Sequence, residues 1–286
     1  MSRQPQISLS NIELKAERLA ALATRCLIDE ARLSPKPGLV DSRGNGAHQD
    51  LSLSLMERSA HSLTRTFHAL ALHCWNRPAD IALRQLVGRL GREGEQDMMQ
   101  ATGGVNTHRG AIWALGLLVS ASARLAGESD PQQVAQAAAQ LARLPDMAAP
   151  KTFSKGQRAS QRYRVPGARE EAQQGFPHVV RLALPQLHRS RRAGASEAHA
   201  QLDALMAIMS SLSDTCVLSR AGETGLQAMQ QGASAVLSAG GMQSLAGRQA
   251  LAALDAGMLA LNASPGGAAD LLAATLFTDR LGDLTF

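Results

Sequence analysis

Aromatic residues are scarce in this chain: two Trp, one Tyr and five Phe stand among 286 residues. Runs of β-branched residues are sparse as well, and the surplus falls on Ala and Leu. Sheets draw on the missing types and helices on the abundant ones, so the composition predicts an all-α protein. Cysteine is limited to Cys26, Cys74 and Cys216, odd in number and far apart. With neither a CxxC pair nor an HExxH, a structural zinc is not expected, and a reducing compartment is. The opening MSRQPQISLSNIELK has no apolar centre and does not read as a signal peptide. The longest apolar run, Ala111–Ala123, falls short of the ~20 residues that span a bilayer. A cytoplasmic protein with no membrane partner is the expectation.

Two nucleotide-binding signatures are also missing. Neither GxxxxGK[ST] nor GxGxxG occurs, so any nucleotide is held without a Walker loop or a Rossmann turn. The formal net charge is +5, with arginines clustered over Arg158–Arg169 and Arg189–Arg192. Nucleic-acid binding calls for a basic stripe with aromatic partners for stacking, and these are lacking. A small anionic ligand suits the excess charge better than a nucleic acid.

What is present is a helical pattern with polar, glycine-bearing corners. At 45% hydrophobic the chain can bury a large core. No internal repeat or low-complexity linker divides it, so residues 1–286 read as a single multi-helix domain. Apolar spacing predicts helices over Asn11–Leu33, Leu53–Trp75, Ile81–Gly91 and about Thr107–Leu125. A further one starts at Asp130-Pro131, with Asp as cap and Pro in the first turn. Others cover Pro177–Leu187, an amphipathic Ser196–Leu212 capped by Ser196, Gln243–Leu261 and Ala268–Leu276. Leu144–Pro166 reads as irregular and basic, and Asp214–Gly222 as an interruption.

Four corners could carry chemistry. In SPKPGLVDSRGNGAH (34–48), Lys36, Asp41, Arg43, Asn45 and His48 gather in a loop too long for a simple turn. A well-capped interhelical loop accounts for it equally well. In TGGVNTHRG (102–110), Gly103 and Gly104 bare the backbone and Asn106, Thr107, His108 and Arg109 follow. A helix then starts, and its unpaired N–H groups and positive dipole end suit a phosphate. Arg169-Glu170-Glu171 could bind Mg²⁺ or supply a base, although such triplets are more often salt-bridged helix faces. Asp214-Thr215 pairs with SPGGAAD (264–270), whose Ser264, Gly266 and Gly267 begin a helix. Asp270 there could simply complement the helix dipole. His61, His68 and His73 lack partners at ligand spacing; His48 and His108, in the loops, suit a phosphate or sugar.

Taken in order, SPKPGLVDSRGNGAH, TGGVNTHRG, REEAQQGFP, DTCVLSRAG and SPGGAADLL resemble the signature segments of triphosphoribosyl-dephospho-coenzyme A synthases, across essentially the whole chain. The flanking AIWALGLLVSA, LSDTCVL and GGAADLLAATLF are most similar to the malonate decarboxylase branch. The resemblance implies an all-α fold with glycine-rich loops at helix N-termini forming the active site. It implies a transferase joining ATP and 3′-dephospho-coenzyme A into 2′-(5″-triphosphoribosyl)-3′-dephospho-coenzyme A, with adenine released. That product is the precursor of the prosthetic group on the acyl carrier subunit of malonate decarboxylase, attached by a separate transferase. Lys36, Arg43, Gly103, Gly104, Asn106, Thr107, His108, Arg109, Arg169, Ser264, Gly266 and Gly267 would then hold ATP and its phosphates. His48 and Arg220 would assist. Asp41, Glu171, Asp214 and Asp270 would do the chemistry, with Glu171 as base and Asp41, Glu171 and Asp270 on Mg²⁺. Ala-rich helix faces are compatible with a homodimer.

Some positions depart from the family pattern. The third segment usually reads YGxRGxRGEAxxGF, and here Arg164, Pro166 and Glu170 replace glycine, arginine and glycine. The fourth resembles DTNxLHRGG, and here Cys216, Ser219 and Ala221 differ. A lost arginine at 166 and an added carboxylate at 170 would both weaken ATP binding. Three other readings remain open: the citrate lyase counterpart, an ATP N-glycosidase, and a catalytically silent protein that binds coenzyme A derivatives.

Overall fold

The computed structural model describes residues 9–150, 152 and 154–284; residues 1–8, which begin the segment read as no signal peptide, lie outside them. Among the described residues there are thirteen α-helices and no strand, as the shortage of sheet-forming residues predicts. None of these helices is long and apolar enough to cross a membrane.

Helix α1 (Leu9–Arg32) opens the chain, and α2 (Leu53–Ser62) follows the 34–48 loop. The helix expected over Leu53–Trp75 is in fact two, α2 and α3 (Thr64–Cys74), parted at Leu63. The hydroxyls of Ser62 and Thr64 donate to the Ser59 and His61 carbonyls at that break, competing with the regular ladder. In contrast, α4 runs unbroken over Ile81–Ala101, twice as far as its glycines suggested. Those glycines serve close packing: a Cβ on Gly88 would stand 2.1 Å from the Asp146 carboxylate, and one on Gly94 2.6 Å from Thr66.

Helix α5 (Arg109–Arg124) is buried almost all round and packs against α3, α4, α6 (Pro131–Arg143) and α13 (Gly266–Arg280). A helix with apolar residues on every face belongs in a core. Asp130 caps α6 by accepting from the Gln133 N–H, with Pro131 in its first turn, as expected. The stretch read as irregular contains α7 (Lys155–Tyr163), begun by a reciprocal Ser154–Gln157 capping box. The short α8 (Ala168–Gln173) follows. The helix expected over Pro177–Leu187 opens as a π-helical segment, His178–Ala183, before continuing as α9 (Leu184–Arg192).

Ser196 caps α10 (Glu197–Met209) as predicted, yet this helix is not amphipathic: every residue from Ala200 to Met209 is buried. Its polar members are satisfied internally, Asp203 by the Ser190 hydroxyl and the Met242 N–H. Helix α11 (Thr215–Ser238) continues through the expected interruption with a kink at Gly222, where φ is +63°. Helix α12 (Leu245–Ala260) and α13 complete the bundle. One apolar cluster runs from α1 to the C-terminal end of α13, with a small second patch of Val40, Leu51 and Leu55.

Candidate active site

The polar corners converge. A cavity of about 110 Å3 is walled by Gly110, Trp113, Pro166, Glu171, Phe176, His178, Asp214 and Asp270, with Gly167 and Gly267 among their neighbours. Three of the four corners therefore contribute to one enclosure. The fourth, the 34–48 loop, adjoins it through the α12–α13 turn. His48 Nε2 lies 2.8 Å from the Ser264 hydroxyl, the Gly38 N–H donates to Asp255, and Arg220 donates to Ala47 and Asn262 carbonyls.

Asp270, expected in the first turn of α13, lies just beyond it, and its carboxyl serves another helix, accepting from the Ala111 N–H at the start of α5. Gly110 makes this approach possible, since a Cβ there would stand 2.0 Å from the Asp270 Oδ2. Burial, then the charges of Glu30 and Asp214, push the Asp270 carboxyl well above the usual carboxylate range. In such surroundings it holds its proton far more tightly than a free aspartate.

Asp214 ties two helix starts together. Oδ1 accepts from the Cys216 and Val217 N–H groups of α11 at 2.8 and 3.3 Å, while Oδ2 accepts from the Ala268 N–H of α13 at 2.9 Å. The Gly267 N–H is a further donor. Ser264, expected to begin α13, instead bonds His48, and Asp214 does the capping. Burial raises the Asp214 carboxyl, against the opposing pull of those backbone donors.

Glu171 lies one turn into α8, whose start is closed by the Glu170 carboxylate on the Gly167 N–H. Past α8 the chain reverses through two left-handed residues, Gly175 and Phe176, with φ of +80° and +53°. A phenylalanine rarely adopts that conformation, and such strain gathers at functional sites. The reversal brings His178 back onto Glu171: the His178 N–H donates to Oε1 at 2.9 Å, and Nδ1 lies 2.7 Å from Oε2. Trp113 Nε1 donates to the Ala168 carbonyl at 3.0 Å and fastens α8 to α5.

The remaining predicted residues are placed otherwise. Lys36 is fully buried, its ammonium 2.5 Å from both the Glu30 carbonyl and carboxylate, so its charge is paired inside the protein rather than offered to a ligand. His108 is buried as well, with Nδ1 2.7 Å from the Ser59 hydroxyl. Burial and the nearby Lys36 charge push it down to about 4, which keeps it neutral. Thr107 also bonds Ser59, and Asn106 accepts from the Arg109 N–H. Arg109 pairs with Glu95 on the surface, while Gly103 and Gly104 are exposed and form the α4–α5 turn. Arg169 is exposed on the first turn of α8, and Gly266 packs against Cys216. Of that loop, only Gly110 reaches the cavity.

The expected metal set of Asp41, Glu171 and Asp270 is not assembled. Asp41 accepts from the Lys36 and Arg43 N–H groups and the Arg43 guanidinium, which also reaches Asp255. Those bonds outweigh burial and hold the Asp41 carboxyl below its ordinary range. Both Glu171 oxygens face His178. Among the described residues no three His, Cys, Asp or Glu side chains are grouped to hold a metal. The donor set does not fit a resident Mg²⁺.

Several functional candidates escaped the sequence. Glu30 looked like one more charge on an amphipathic helix, and nothing local announced that it would be buried. His178 carried a weak signal, following directly after the Gly175-Phe176-Pro177 turn. Trp113 was hidden within an apolar run.

Comparison with known proteins identifies the family. The chain is 75% identical over 275 residues to the 2-(5''-triphosphoribosyl)-3'-dephosphocoenzyme-A synthase of Klebsiella pneumoniae, covering 96% of this chain and 98% of that protein. A protein of Azotobacter vinelandii named "Probable 2-(5''-triphosphoribosyl)-3'-dephosphocoenzyme-A synthase" is 62% identical, covering 93% and 92%. One of the same name from Pseudomonas fluorescens is 61% identical, with the same coverage. No solved structure matches the chain. Residues 16–285 match the family model described as ATP:dephospho-CoA triphosphoribosyl transferase, and the chain belongs to that family.

Proposed function

We propose that this chain transfers the 5-triphosphoribosyl group of ATP to the ribose 2′-hydroxyl of 3′-dephospho-coenzyme A, releasing adenine. The observation that carries the reading is that Asp270 and the Glu171–His178 pair line one cavity. The bond between adenine and the anomeric carbon breaks, and a bond from that carbon to the 2′-oxygen forms. Adenine leaves with the electron pair and needs a proton; the 2′-hydroxyl must lose one. Asp270, whose surroundings raise its carboxyl above the usual carboxylate range, supplies the first proton, and the Glu171 side of the cavity accepts the second. Each transfer contributes about 10²–10⁴ in rate. Positive charge grows on the sugar as adenine departs, and the Glu171 carboxylate stabilises it.

A cavity of about 110 Å3 is smaller than the roughly 300–1,000 Å3 that encloses a whole ligand. It suits the reacting ribose, with both substrates extending outward. Mg²⁺ enters as a substrate, on the triphosphate of MgATP, since that ion is usually held by phosphates with few protein groups.

The finer reading follows from the flanking sequence. The product supplies the prosthetic group of a malonate decarboxylase carrier subunit through a downstream transferase; separately, the scattered cysteines favour a reducing, cytoplasmic setting and the Ala-rich helix faces a homodimer. Incubation with MgATP and 3′-dephospho-coenzyme A, followed by mass analysis, tests the activity. The triphosphoribosyl adduct and adenine should appear in equal amounts. Adenine without adduct would make the chain an N-glycosidase, and tight binding without either product would make it a silent binding protein. Supplying the downstream transferase with malonate decarboxylase or citrate lyase carrier subunits separates the branches.

A further inference from the structure

We propose that the atom accepting the 2′-hydroxyl proton is Nε2 of His178, and that Glu171 is the positioning residue that holds it. The proposal rests on the transferase reading above and deepens it. A carboxylate accepts hydrogen bonds and donates none, so the 2.7 Å contact between Glu171 Oε2 and His178 Nδ1 places the proton on Nδ1. The other oxygen of Glu171 accepts the His178 backbone N–H at 2.9 Å. Glu171 is thus oriented toward His178 through both oxygens, at the two ends of one residue. This fixes the ring's position and its tautomer together.

The consequence falls on the opposite ring nitrogen. In the neutral ring with its proton on Nδ1, Nε2 carries the lone pair, and it has no hydrogen-bond partner in the protein among the described residues. His178 lines the cavity and keeps 19% of its side chain exposed, against 9% for Glu171. The histidine is the more accessible member of the pair. In the transfer, Nε2 takes the 2′-hydroxyl proton as the oxygen bonds to the anomeric carbon. The imidazolium so formed is stabilised by Glu171, the logic of any carboxylate-oriented histidine base. After adenine has left with the proton from Asp270, the ring regains neutrality by releasing its proton to water and Asp270 takes one back, so no proton is consumed over the cycle.

Glu171→Gln reads out the positioning role without removing a side chain. A carboxamide has one acceptor and one donor end, so it cannot receive both His178 N–H groups. Either the backbone bond is lost or the ring is forced to the tautomer with its proton on Nε2. The test measures adduct formation by the wild type, His178→Gln, His178→Ala, Glu171→Gln and the Glu171→Gln/His178→Ala pair, with kcat and KM determined for both substrates. We expect each single variant to lose about 10²–10⁴ in kcat with KM within about twofold. The double variant should be no slower than the worse single, because the two residues act as a unit. His178→Gln keeps a donor toward Glu171, which guards the fold if His178→Ala destabilises it. A His178→Gln enzyme retaining more than a tenth of wild-type kcat would overturn the proposal, as would losses that multiply in the double variant. A defect confined to KM would also overturn it, since it would assign His178 to substrate holding. Absence of adduct from the wild type would strike the transferase reading itself, a result separable from all of these.

Discussion

Asp214 is the position where a chemical role and an architectural one predict different measurements. One carboxylate, only 1% exposed, receives N–H groups from the first turns of both α11 and α13. Removing a capping acceptor costs about 1 kcal/mol and up to ~2, so two helix starts set the loss for Asp214→Ala at about 2–4 kcal/mol. The Val217 and Ala268 donors left behind are buried, while those of Cys216 and Gly267 are half-buried beside the cavity, which places the expected value in the middle of that range. Asp214→Asn should recover little. Its single acceptor oxygen can serve one helix, while its NH₂ group confronts the donors of the other, and a loss of about 2 kcal/mol is expected. Urea unfolding at neutral pH measures both, provided the dependence on denaturant is unchanged. Turnover should be scored on the folded fraction alone. An Asp214→Asn protein within about 0.5 kcal/mol of the wild type would refute the argument, and one that had also lost turnover would return Asp214 to the chemistry.

Three further outcomes are expected. Asp270→Asn should abolish turnover yet raise stability at pH 8. Burial and like charges raise the folded carboxyl above its unfolded value, so the wild type's contribution from this group is present at low pH and lost as pH rises through the folded value. Asn escapes that loss, and the melting-temperature difference between the two should widen from pH 5 to pH 8; a constant difference would refute it. Arg164 occupies a left-handed conformation, φ +54° and ψ +43°, where the family pattern has glycine, so Arg164→Gly should stabilise by about 0.5–1 kcal/mol in the same unfolding assay. Pro166 lines the cavity where that pattern has arginine. Pro166→Arg should lower the KM for ATP several-fold through a charge-assisted phosphate contact, and saturation curves with an unchanged KM would place the triphosphate elsewhere.

The helical class was legible because residue types missing from a sequence constrain it as firmly as those present. Asp130-Pro131 and Ser196 marked helix starts correctly, since a cap acts on backbone donors only two or three residues away. The glycines of α4 misled, because whether a glycine ends a helix or admits a neighbour depends on Thr66 and Asp146, which are distant in sequence. The same limit applies to the candidate site. That Glu171, Asp214 and Asp270 belong together could be read from their glycine-bearing contexts. That Lys36 and His108 turn inward could not, because their burial depends on Glu30 and Ser59, partners with no local mark. The Glu170 carboxylate, read as an obstacle to ATP, closes the start of α8 instead.

The widened helical segment over His178–Ala183 limits how this chain can vary in length. A π turn takes up one residue more than an α turn before its hydrogen bond closes. Inserting one more residue there would find no ordinary turn left to widen and would rotate everything on one side of the insertion by about 100° relative to the other. The imidazole would swing off its carboxylate although no side chain around the cavity had been altered. Substitutions in this stretch are therefore far more tolerable than insertions, and the distance in residues from Phe176 to Leu184 is itself part of the active centre.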